Sequence, residues 1–332
     1  MIARTVIRRG LRLLALALVV VAALAGLLAA ALRVQFTGAP AEWAKSTGDD
    51  ALWLGHMWVD GRRGEADVEG LARRLEATGI KDVYVHSGPF GWDGRLDPAK
   101  YPNARNFVQW MHKHLPNVRI SAWLGQSVDN ALDLDDPGAR DNVLAGVAAI
   151  MEQGYDGVHY NFEPVGDGDA EFLDLLERTR RHTGLLSTSV PQIEPYPGLR
   201  LTARAVLGHD KYWSPGFFQQ VAARVDQVAV MTYDSGTPAR SLYGGHVARQ
   251  AELALDLTPA GKHLLIGAPA YHDHELPWLD AAESVAVAAE GARLALTEHG
   301  PRPRFGLALY VDFAATEEDW REYMTGWMAV DS

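Results

Sequence analysis

The chain has 332 residues, a formal net charge of −11 and no cysteine. This length suits one large domain or two small ones, and the lack of cysteine excludes disulfides, thiolate metal sites and thiol nucleophiles. The acidic balance disfavours a nonspecific grip on nucleic acid, so we predict no nucleic-acid partner.

The N-terminus has the pattern of a membrane-targeting segment. Four arginines among the first twelve residues precede residues 13–32, a mostly apolar run without charge or proline. This pattern is typical of a secretory signal peptide or of a membrane-spanning helix. Both place the remaining chain outside the cytoplasm, either secreted or anchored to the cell membrane, because the basic flank stays inside. We predict a signal or anchor over 1–33 and a linker over 34–50.

From residue 51 onward, strand-like and helix-like patterns alternate along the chain. The predicted strands cover 51–57, 82–86, 118–124, 157–163, 185–190, 227–233, 263–269 and 305–311. The predicted helices cover 66–78, 106–114, 137–153, 169–182, 215–223, 245–257, 283–298 and 316–324. Eight such units predict a closed (β/α)8 TIM barrel over 51–328, with an open doubly wound sheet as the alternative. No glycine-rich dinucleotide fingerprint or phosphate loop follows a predicted strand, so we predict no cofactor.

The fourth predicted strand carries the most informative residues. His159, Asn161 and Glu163 alternate along it and therefore share one face. Polar side chains that point into a protein interior are costly unless something uses them. Since active sites of TIM barrels lie at the C-terminal strand ends, we expect Glu163 at the mouth of the barrel.

Other strand ends add polar and aromatic groups to this predicted site. The candidate substrate contacts at these ends are His86, Trp123, Gln192, Met231, Tyr271, Tyr310 and Asp312. Tyr233 and Asp234 end the sixth predicted strand, and His56 and Trp58 follow the first. Such a ring of acids, amides and aromatics suits a sugar polymer, because aromatic faces stack on sugar rings.

Three segments resemble glycoside hydrolase family 18, the chitinase-like barrels. Asp156-Gly-Val-His-Tyr-Asn-Phe-Glu163 is similar to that family's strand-four motif, Asp-x-x-Asp-x-Asp-x-Glu. Met231-Thr-Tyr-Asp234 resembles its Met-x-Tyr-Asp motif on strand six, and Ile266-Gly-Ala-Pro-Ala-Tyr271 is similar to its strand seven. The resemblance covers the chain from about residue 51.

The resemblance implies a glycosidase that acts on an N-acetylhexosamine-containing glycan, either chitin-like or peptidoglycan. Glu163 would be the general acid, and the substrate's own acetamido group would attack the anomeric carbon. Tyr233 would hydrogen-bond the acetamido oxygen. The motif is degenerate, because His159 and Asn161 stand where the family has Asp. Asn161 can still accept the amide N–H but supplies no negative charge, and Asp234 is a candidate to replace that charge.

Several alternatives remain open at the level of the sequence. The barrel could bind carbohydrate without catalysis, with His159 as either a substrate contact or a hydrogen-bonded interior residue. It could also be a two-carboxylate retaining glycosidase, with Glu275 or Asp312 as the nucleophile. The segment His272-Asp-His274 raises a metal hydrolase as a weaker possibility, and we predict no bound metal. We expect a monomer whose partner is the glycan.

Overall fold

The computed structural model describes residues 2–126, 132–272 and 282–328. Eight parallel strands in this part of the chain close into a barrel, in the order β1-β10-β9-β8-β5-β4-β3-β2. These strands are β1 (Asp50–Leu54), β2 (Ile80–His86), β3 (Arg119–Gln126), β4 (Gly157–Phe162), β5 (Leu186–Val190), β8 (Gln227–Val230), β9 (His263–Pro269) and β10 (Phe305–Tyr310). The prediction of a closed (β/α)8 barrel is confirmed.

Helices surround the barrel. They are α1 (Ile2–Gln35), α2 (Glu65–Glu76), α3 (Ala104–His114), α4 (Pro137–Met151), α5 (Ala170–Thr179), α6 (Leu199–Leu207), α7 (Pro215–Arg224), α8 (Arg240–Leu257), α9 (Val285–His299) and α10 (Glu317–Tyr323). Except for α6, each helix between two barrel strands starts near the C-terminal strand ends, which we call the mouth, and runs antiparallel to the strands. It returns the chain to the opposite end, which we call the bottom.

Both faces of the barrel strands are buried, as expected for parallel strands covered by helices. The outward faces pack on the helices in one large apolar core. The inward faces form a smaller cluster that includes Trp53, Tyr84 and Leu265. Tyr310 and Trp123 pack against this cluster from above and are only partly buried. The inner cluster thus forms the floor beneath the mouth.

The element boundaries differ from the predicted ones in a few places. The first strand ends at Leu54, and the chain continues as a 3-10 turn over His56–Trp58. The sixth barrel strand, β8, ends at Val230, after which the Thr232 hydroxyl donates to the Gly267 carbonyl at 2.7 Å. Helix α1 continues into the predicted linker as far as Gln35.

One excursion on the mouth side was not predicted. Between β5 and α7 the chain forms β6 (Gln192–Ile193), α6 and β7 (Tyr212–Trp213), and β6 pairs with β7 as a small separate sheet. Left-handed glycines at positions 198 and 208 bracket α6, with φ of 92° and 82°. This excursion builds one wall of the site described next.

Candidate active site

Glu163 lies at the mouth, one residue past the end of β4. Its backbone N–H donates to the Gln126 carbonyl at 3.0 Å, which continues the pairing of β4 with β3. Residue 125 must be glycine, because a Cβ there would collide with the Asn161 carbonyl. This close approach of the two strands fixes the backbone from Asn161 to Glu163, and the Glu163 side chain reaches solvent.

A cleft with two lobes crosses the mouth, and Glu163 stands where the lobes meet. The lobes have volumes of about 570 and 550 Å³, and both are lined by Asn161, Glu163 and Tyr310. The first lobe is also lined by His56, Met57, Arg62, His86, Trp123 and Phe313. The second lobe is also lined by Pro191, Gln192, Leu207, Lys211, Met231, Tyr233 and Asp234. A linear chain lying across both lobes would pass over the Glu163 carboxyl.

The environment of Glu163 favours its protonated form. The walls of the cleft displace water from the carboxyl and raise its pKa, and the negative charge of Asp234 raises that pKa further. A hydrogen bond from Asn161 opposes the rise. The Asn161 side-chain oxygen is buried and has no hydrogen-bond partner among the described residues. An acid with a raised pKa therefore lies beside a buried acceptor that has no partner among the described residues.

Tyr233, Tyr310 and Asp234 line the second lobe, and the predicted contact Tyr271 packs against both tyrosines without lining either lobe. The rings of Tyr233 and Tyr310 stack with centroids 5.2 Å apart, and Tyr271 meets both edge-on. The Tyr271 hydroxyl donates to Asp234 Oδ1 at 2.6 Å. Burial raises the pKa of Tyr233 well above its ordinary value, and burial with the charges of Glu163 and Asp234 raises the pKa of Tyr310 to about 12. Both phenols therefore remain hydrogen-bond donors at neutral pH.

Glu283 holds the backbone that presents Asp234. Its Oε2 accepts the Asp234 N–H at 2.8 Å, and its Oε1 accepts the Ser235 N–H at 2.8 Å and the Ser235 hydroxyl at 2.7 Å. Asp234 has a left-handed backbone with φ of 52°, which a non-glycine residue adopts only when its surroundings impose it. Sequence reasoning did not find Glu283, because its partners lie some fifty residues away in the chain.

The first lobe contains the predicted contacts Trp123 and His86. Their rings lie 4.6 Å apart, and the His86 ring lies 5.2 Å from that of His56. Burial, together with the positive charges of His56 and Lys100, lowers the pKa of His86 to about 4. His86 is therefore neutral at pH 7 and presents an aromatic surface without charge.

The predicted contacts Gln192 and Met231 lie in the second lobe. The Gln192 side-chain amide donates to the Tyr233 carbonyl at 3.1 Å, whereas its side-chain oxygen is buried and has no partner among the described residues. Gln192 therefore supports Tyr233 from a buried position at the edge of the lobe.

His159 lies inside the barrel, away from the cleft, which corrects the expectation of a substrate contact. It is fully buried and stacks on Tyr84 with centroids 3.8 Å apart. Its Nε2 accepts the Trp53 indole N–H at 3.0 Å, so the ring is neutral and its Nδ1 donates to the Ser187 hydroxyl at 2.8 Å. Of the two predicted roles, His159 has that of a hydrogen-bonded interior residue. Its Nε2 must be unprotonated, because it accepts the Trp53 indole N–H.

Asp312 also lies outside the lining of the cleft. Its Oδ1 accepts the Gly55 N–H at 2.6 Å, and its Oδ2 accepts the Trp58 indole N–H at 2.7 Å. Both carboxylate oxygens thus fix the loop after β1, which corrects the expectation that Asp312 contacts substrate or acts as a nucleophile. The alternative nucleophile, Glu275, lies outside the described residues.

The described residues contain no cluster of three or more metal-ligating side chains. His272 pairs with Asp319 Oδ2 at 2.9 Å, and Asp319 caps α10. The Asp and His that follow it in the sequence, at 273 and 274, lie outside the described residues.

The excursion contributes lining residues that sequence reasoning missed. Leu207 and Lys211 face the second lobe together with His209 and Asp210. The glycines at 198 and 208 flank an apolar run with helical spacing and could have revealed α6, but the sequence pattern does not show that this helix folds over the mouth.

Known structures share this fold. No protein-family model matches the sequence, and no curated protein matches it. The Bacillus cereus spore cortex-lytic enzyme SleL superposes with a TM-score of 0.60 at 12% identity, over 84% of this chain and 74% of that one. A class V chitinase from Pseudomonas fluorescens superposes with a TM-score of 0.58 at 15% identity, over 83% of this chain and 98% of that one.

The same fold also occurs in the xylanase and α-amylase inhibitor protein of Scadoxus multiflorus, with a TM-score of 0.53 at 13% identity, over 84% of this chain and 98% of that one. At these identities the similarity is one of fold. The chain is therefore a (β/α)8 barrel of the kind found in chitinases and SleL, and the resemblance predicted from three segments is confirmed at that level.

Proposed function

We propose that this protein is an extracytoplasmic glycoside hydrolase that acts on an N-acetylhexosamine-containing glycan, with Glu163 as the general acid. The observation that carries the proposal is the position of Glu163 where the two lobes of the cleft meet. A glycan bound in both lobes presents one glycosidic linkage to this carboxyl. The apolar α1 would direct the barrel out of the cytoplasm.

The raised pKa of Glu163 suits a proton donor. Glu163 donates its proton to the glycosidic oxygen as the bond from that oxygen to the anomeric carbon breaks. The acetamido oxygen of the substrate attacks the same carbon and forms a cyclic oxazolinium ion. Water then opens this ion at the anomeric carbon and gives a proton to the Glu163 carboxylate, which restores the acid. This route needs one protein carboxyl in place of the usual two.

Neighbouring residues fit the acetamido group. The unpartnered Asn161 oxygen would accept the amide N–H, and the protonated Tyr233 hydroxyl would donate to the amide oxygen. Asp234 lines the same lobe as Glu163, and its negative charge would stabilise a cation that forms in that lobe. A chitin-like chain and peptidoglycan both carry such acetamido groups, and the chitinases and cortex-lytic enzyme that share the fold support this substrate class.

The test is hydrolysis of chitin oligomers and peptidoglycan fragments by the full chain in detergent micelles. Glu163→Gln keeps the shape of the side chain but removes the proton. We expect this variant to lose about 10²- to 10⁴-fold in turnover while it retains glycan binding. Glu298→Gln, on the exposed end of α9, is the matched control and should behave as the parent. Equal turnover by Glu163→Gln and the parent would refute the proposal.

A noncatalytic carbohydrate-binding barrel is the second candidate. It is favoured by Asn161, which supplies no charge to a developing cation, and by the inhibitor protein that shares the fold. Tight binding of the same oligomers without turnover over days would select this candidate, and robust cleavage would eliminate it.

A further inference from the structure

The C-terminal part of α1 docks directly on α8. A Cβ at Gly245 would collide with the backbone of Leu32, and a Cβ at Gly244 would collide with the Phe36 ring. Leu32 is buried in this contact. Two adjacent glycines thus allow the helices to approach at backbone distance, which gives α1 a defined position on the barrel.

The contacts also give α1 a direction. Helix α8 begins at the mouth and runs to the bottom. Leu32 touches Gly245 in the second turn of α8, and the Gln35 amide donates to Glu252 Oε2, about two turns further down, at 3.4 Å. The Phe36 ring turns back toward Gly244, but the backbone continues downward, because the Ala41 N–H donates to the Thr297 hydroxyl in the last turn of α9 at 2.9 Å. The chain therefore descends along α8 from the mouth, and the preceding part of α1 projects beyond the mouth.

No spacer separates the apolar part of α1 from the barrel. A bilayer core about 30 Å thick needs roughly 20 apolar residues, and the apolar run of α1 ends at the docked Leu32. Leu18, Leu24 and Leu27 are each at least 60% exposed. If α1 spans the bilayer, the membrane surface lies level with the first turns of α8, which is the level of the mouth.

A second, independent observation agrees with this orientation. Outside α1, most of the exposed large apolar side chains of the described residues lie on loops that follow the C-terminal ends of barrel strands. These mouth-side residues are Trp92, Leu201, Val206, Leu207 and Phe313, whereas Trp43 lies in the segment after α1. The α6 residues are the most conspicuous, because this helix has no buried residue. Scattered apolar side chains need no explanation, but this set shares one face.

We propose that the mouth of the barrel rests on the bilayer that α1 spans, with these mouth-side residues seated among the lipid headgroups. The cleft then opens at the membrane surface. If the proposed function is correct, the glycan that this cleft accepts is attached to a membrane lipid, and the anchor brings the Glu163 carboxyl to it.

The absence of cysteine makes the orientation testable, because any single cysteine is a unique labelling site. We would label Leu201→Cys, Val206→Cys and Trp92→Cys with a fluorophore, in the full chain reconstituted into phosphatidylcholine vesicles that contain a nitroxide lipid. Leu24→Cys reports insertion of α1, and Glu298→Cys reports the bottom of the barrel.

We expect the lipid to quench the mouth labels several-fold more than the label at 298. Quenching of the label at 24 without quenching of the mouth labels would overturn the proposal, and so would stronger quenching at 298. These substitutions lie at exposed positions, so a failure to fold does not blur the result.

The inference that the glycan is attached to a membrane lipid has its own test in the same vesicles. We would compare an N-acetylglucosamine tetramer attached to a lipid with the free tetramer at equal bulk concentration. Colocalisation on the membrane should raise turnover of the lipid-linked tetramer by about tenfold or more. Mouth labels that are quenched while neither tetramer is cleaved would defeat the proposed function but not the orientation. Equal cleavage of both tetramers would refute the inference that the substrate is attached to a lipid.

Discussion

Asn161 is the residue at which this site departs most from the motif it resembles. Its amide can orient an acetamido N–H, but it brings no charge to the cation that forms beside it. One charge-assisted contact in a water-poor site is worth on the order of 3 kcal/mol, or roughly a hundredfold in rate. The residue therefore sets an upper limit on the speed of the proposed reaction.

Asn161→Asp should accelerate hydrolysis. The new carboxylate would stabilise the cation and raise the pKa of Glu163 by repulsion, so we expect a rise in kcat of about tenfold to a hundredfold. The alkaline limb of the pH–rate profile should also move to higher pH. Steady-state kinetics on chitin oligomers measure both changes, and a loss of rate in a folded variant would show that the acetamido group does not sit at Asn161.

Burial is the main cause of the raised pKa of Glu163, and the charge of Asp234 adds to it. The repulsion by Asp234 raises the pKa of Glu163, so a neutral residue at 234 should lower that pKa. Since the protonated acid is the active form, activity falls as pH rises through this pKa. We predict that Asp234→Asn moves the alkaline limb of kcat/KM to lower pH, with a reduced kcat as well. An unchanged limb would mean that the two carboxyls do not interact.

At the scale of elements, the loop after β8 depends on α9. The Glu283 carboxylate, just before α9, accepts two successive backbone N–H groups and so maintains the left-handed Asp234. Glu283 itself is not among the residues that line the two lobes. Glu283 is thus a positioning residue that acts through Asp234 and through the Tyr271 hydroxyl bonded to it.

Glu283→Ala should leave two backbone N–H groups without their acceptor and release the loop. We expect kcat to fall about tenfold to a hundredfold, with faster amide hydrogen exchange at Asp234 and Ser235. Glu283→Gln keeps one side-chain oxygen and should recover part of the rate, whereas Glu298→Ala at the far end of α9 should change neither quantity. Normal kcat together with fast exchange would separate the loop from catalysis.

The strands that deliver these residues were predictable, but the loops that arrange them were not. Alternating patterns with turn signals placed all eight barrel strands, and the period of two put Asn161 and Glu163 on one face. The same period put His159 on that face, but its depth in the strand places it within the buried floor, in contact with Trp53 and Tyr84. Periodicity predicts which face of a strand a side chain lies on, but it does not predict how deep in the barrel that side chain lies.

The other residues whose roles were not predicted have partners that are distant in the sequence. Asp312 stands at a strand end like Glu163, and only its bonds to Gly55 and Trp58, more than 250 residues earlier, show that it is structural. The roles of Glu283 and of the excursion that carries α6 likewise depend on distant parts of the chain. Their roles depend on pairings between distant segments, which a single sequence does not encode in any local pattern.

At the scale of the whole molecule, one buried carboxylate joins the first and last strands of the barrel. Asp50 begins β1, and its Oδ1 accepts the Leu307 N–H of β10 and the Trp327 indole N–H, each at 2.8 Å. Its Oδ2 accepts the hydroxyls of Ser46 and Tyr323. The first and last strands and the C-terminal helical turns thus meet at a single side chain, which is fully buried at the bottom.

This arrangement predicts a pH-dependent stability. Burial raises the pKa of Asp50 from 3.8 to about 6, against the lowering effect of its hydrogen bonds. The folded state therefore holds this proton more tightly than the unfolded state does. The contribution of Asp50 to the free energy of unfolding falls as pH rises from about 4 to about 6, and it is lower by about 3 kcal/mol at neutral pH.

Asp50→Asn should remove this dependence without breaking the junction. The amide oxygen can keep the Leu307 and Trp327 bonds, and the amide N–H groups can donate to Ser46 and Tyr323, whose hydroxyls also accept. Denaturant unfolding should give similar stabilities for variant and parent at pH 4 and a more stable variant at pH 7. Asp50→Ala should be less stable at both pH values, because it leaves buried donors unpaired. The free energies of unfolding of Asp50→Asn and the parent could instead differ by the same amount at pH 4 and pH 7. That result would show that the Asp50 carboxyl stays ionised over this range, because its four hydrogen-bond donors lower its pKa more than burial raises it.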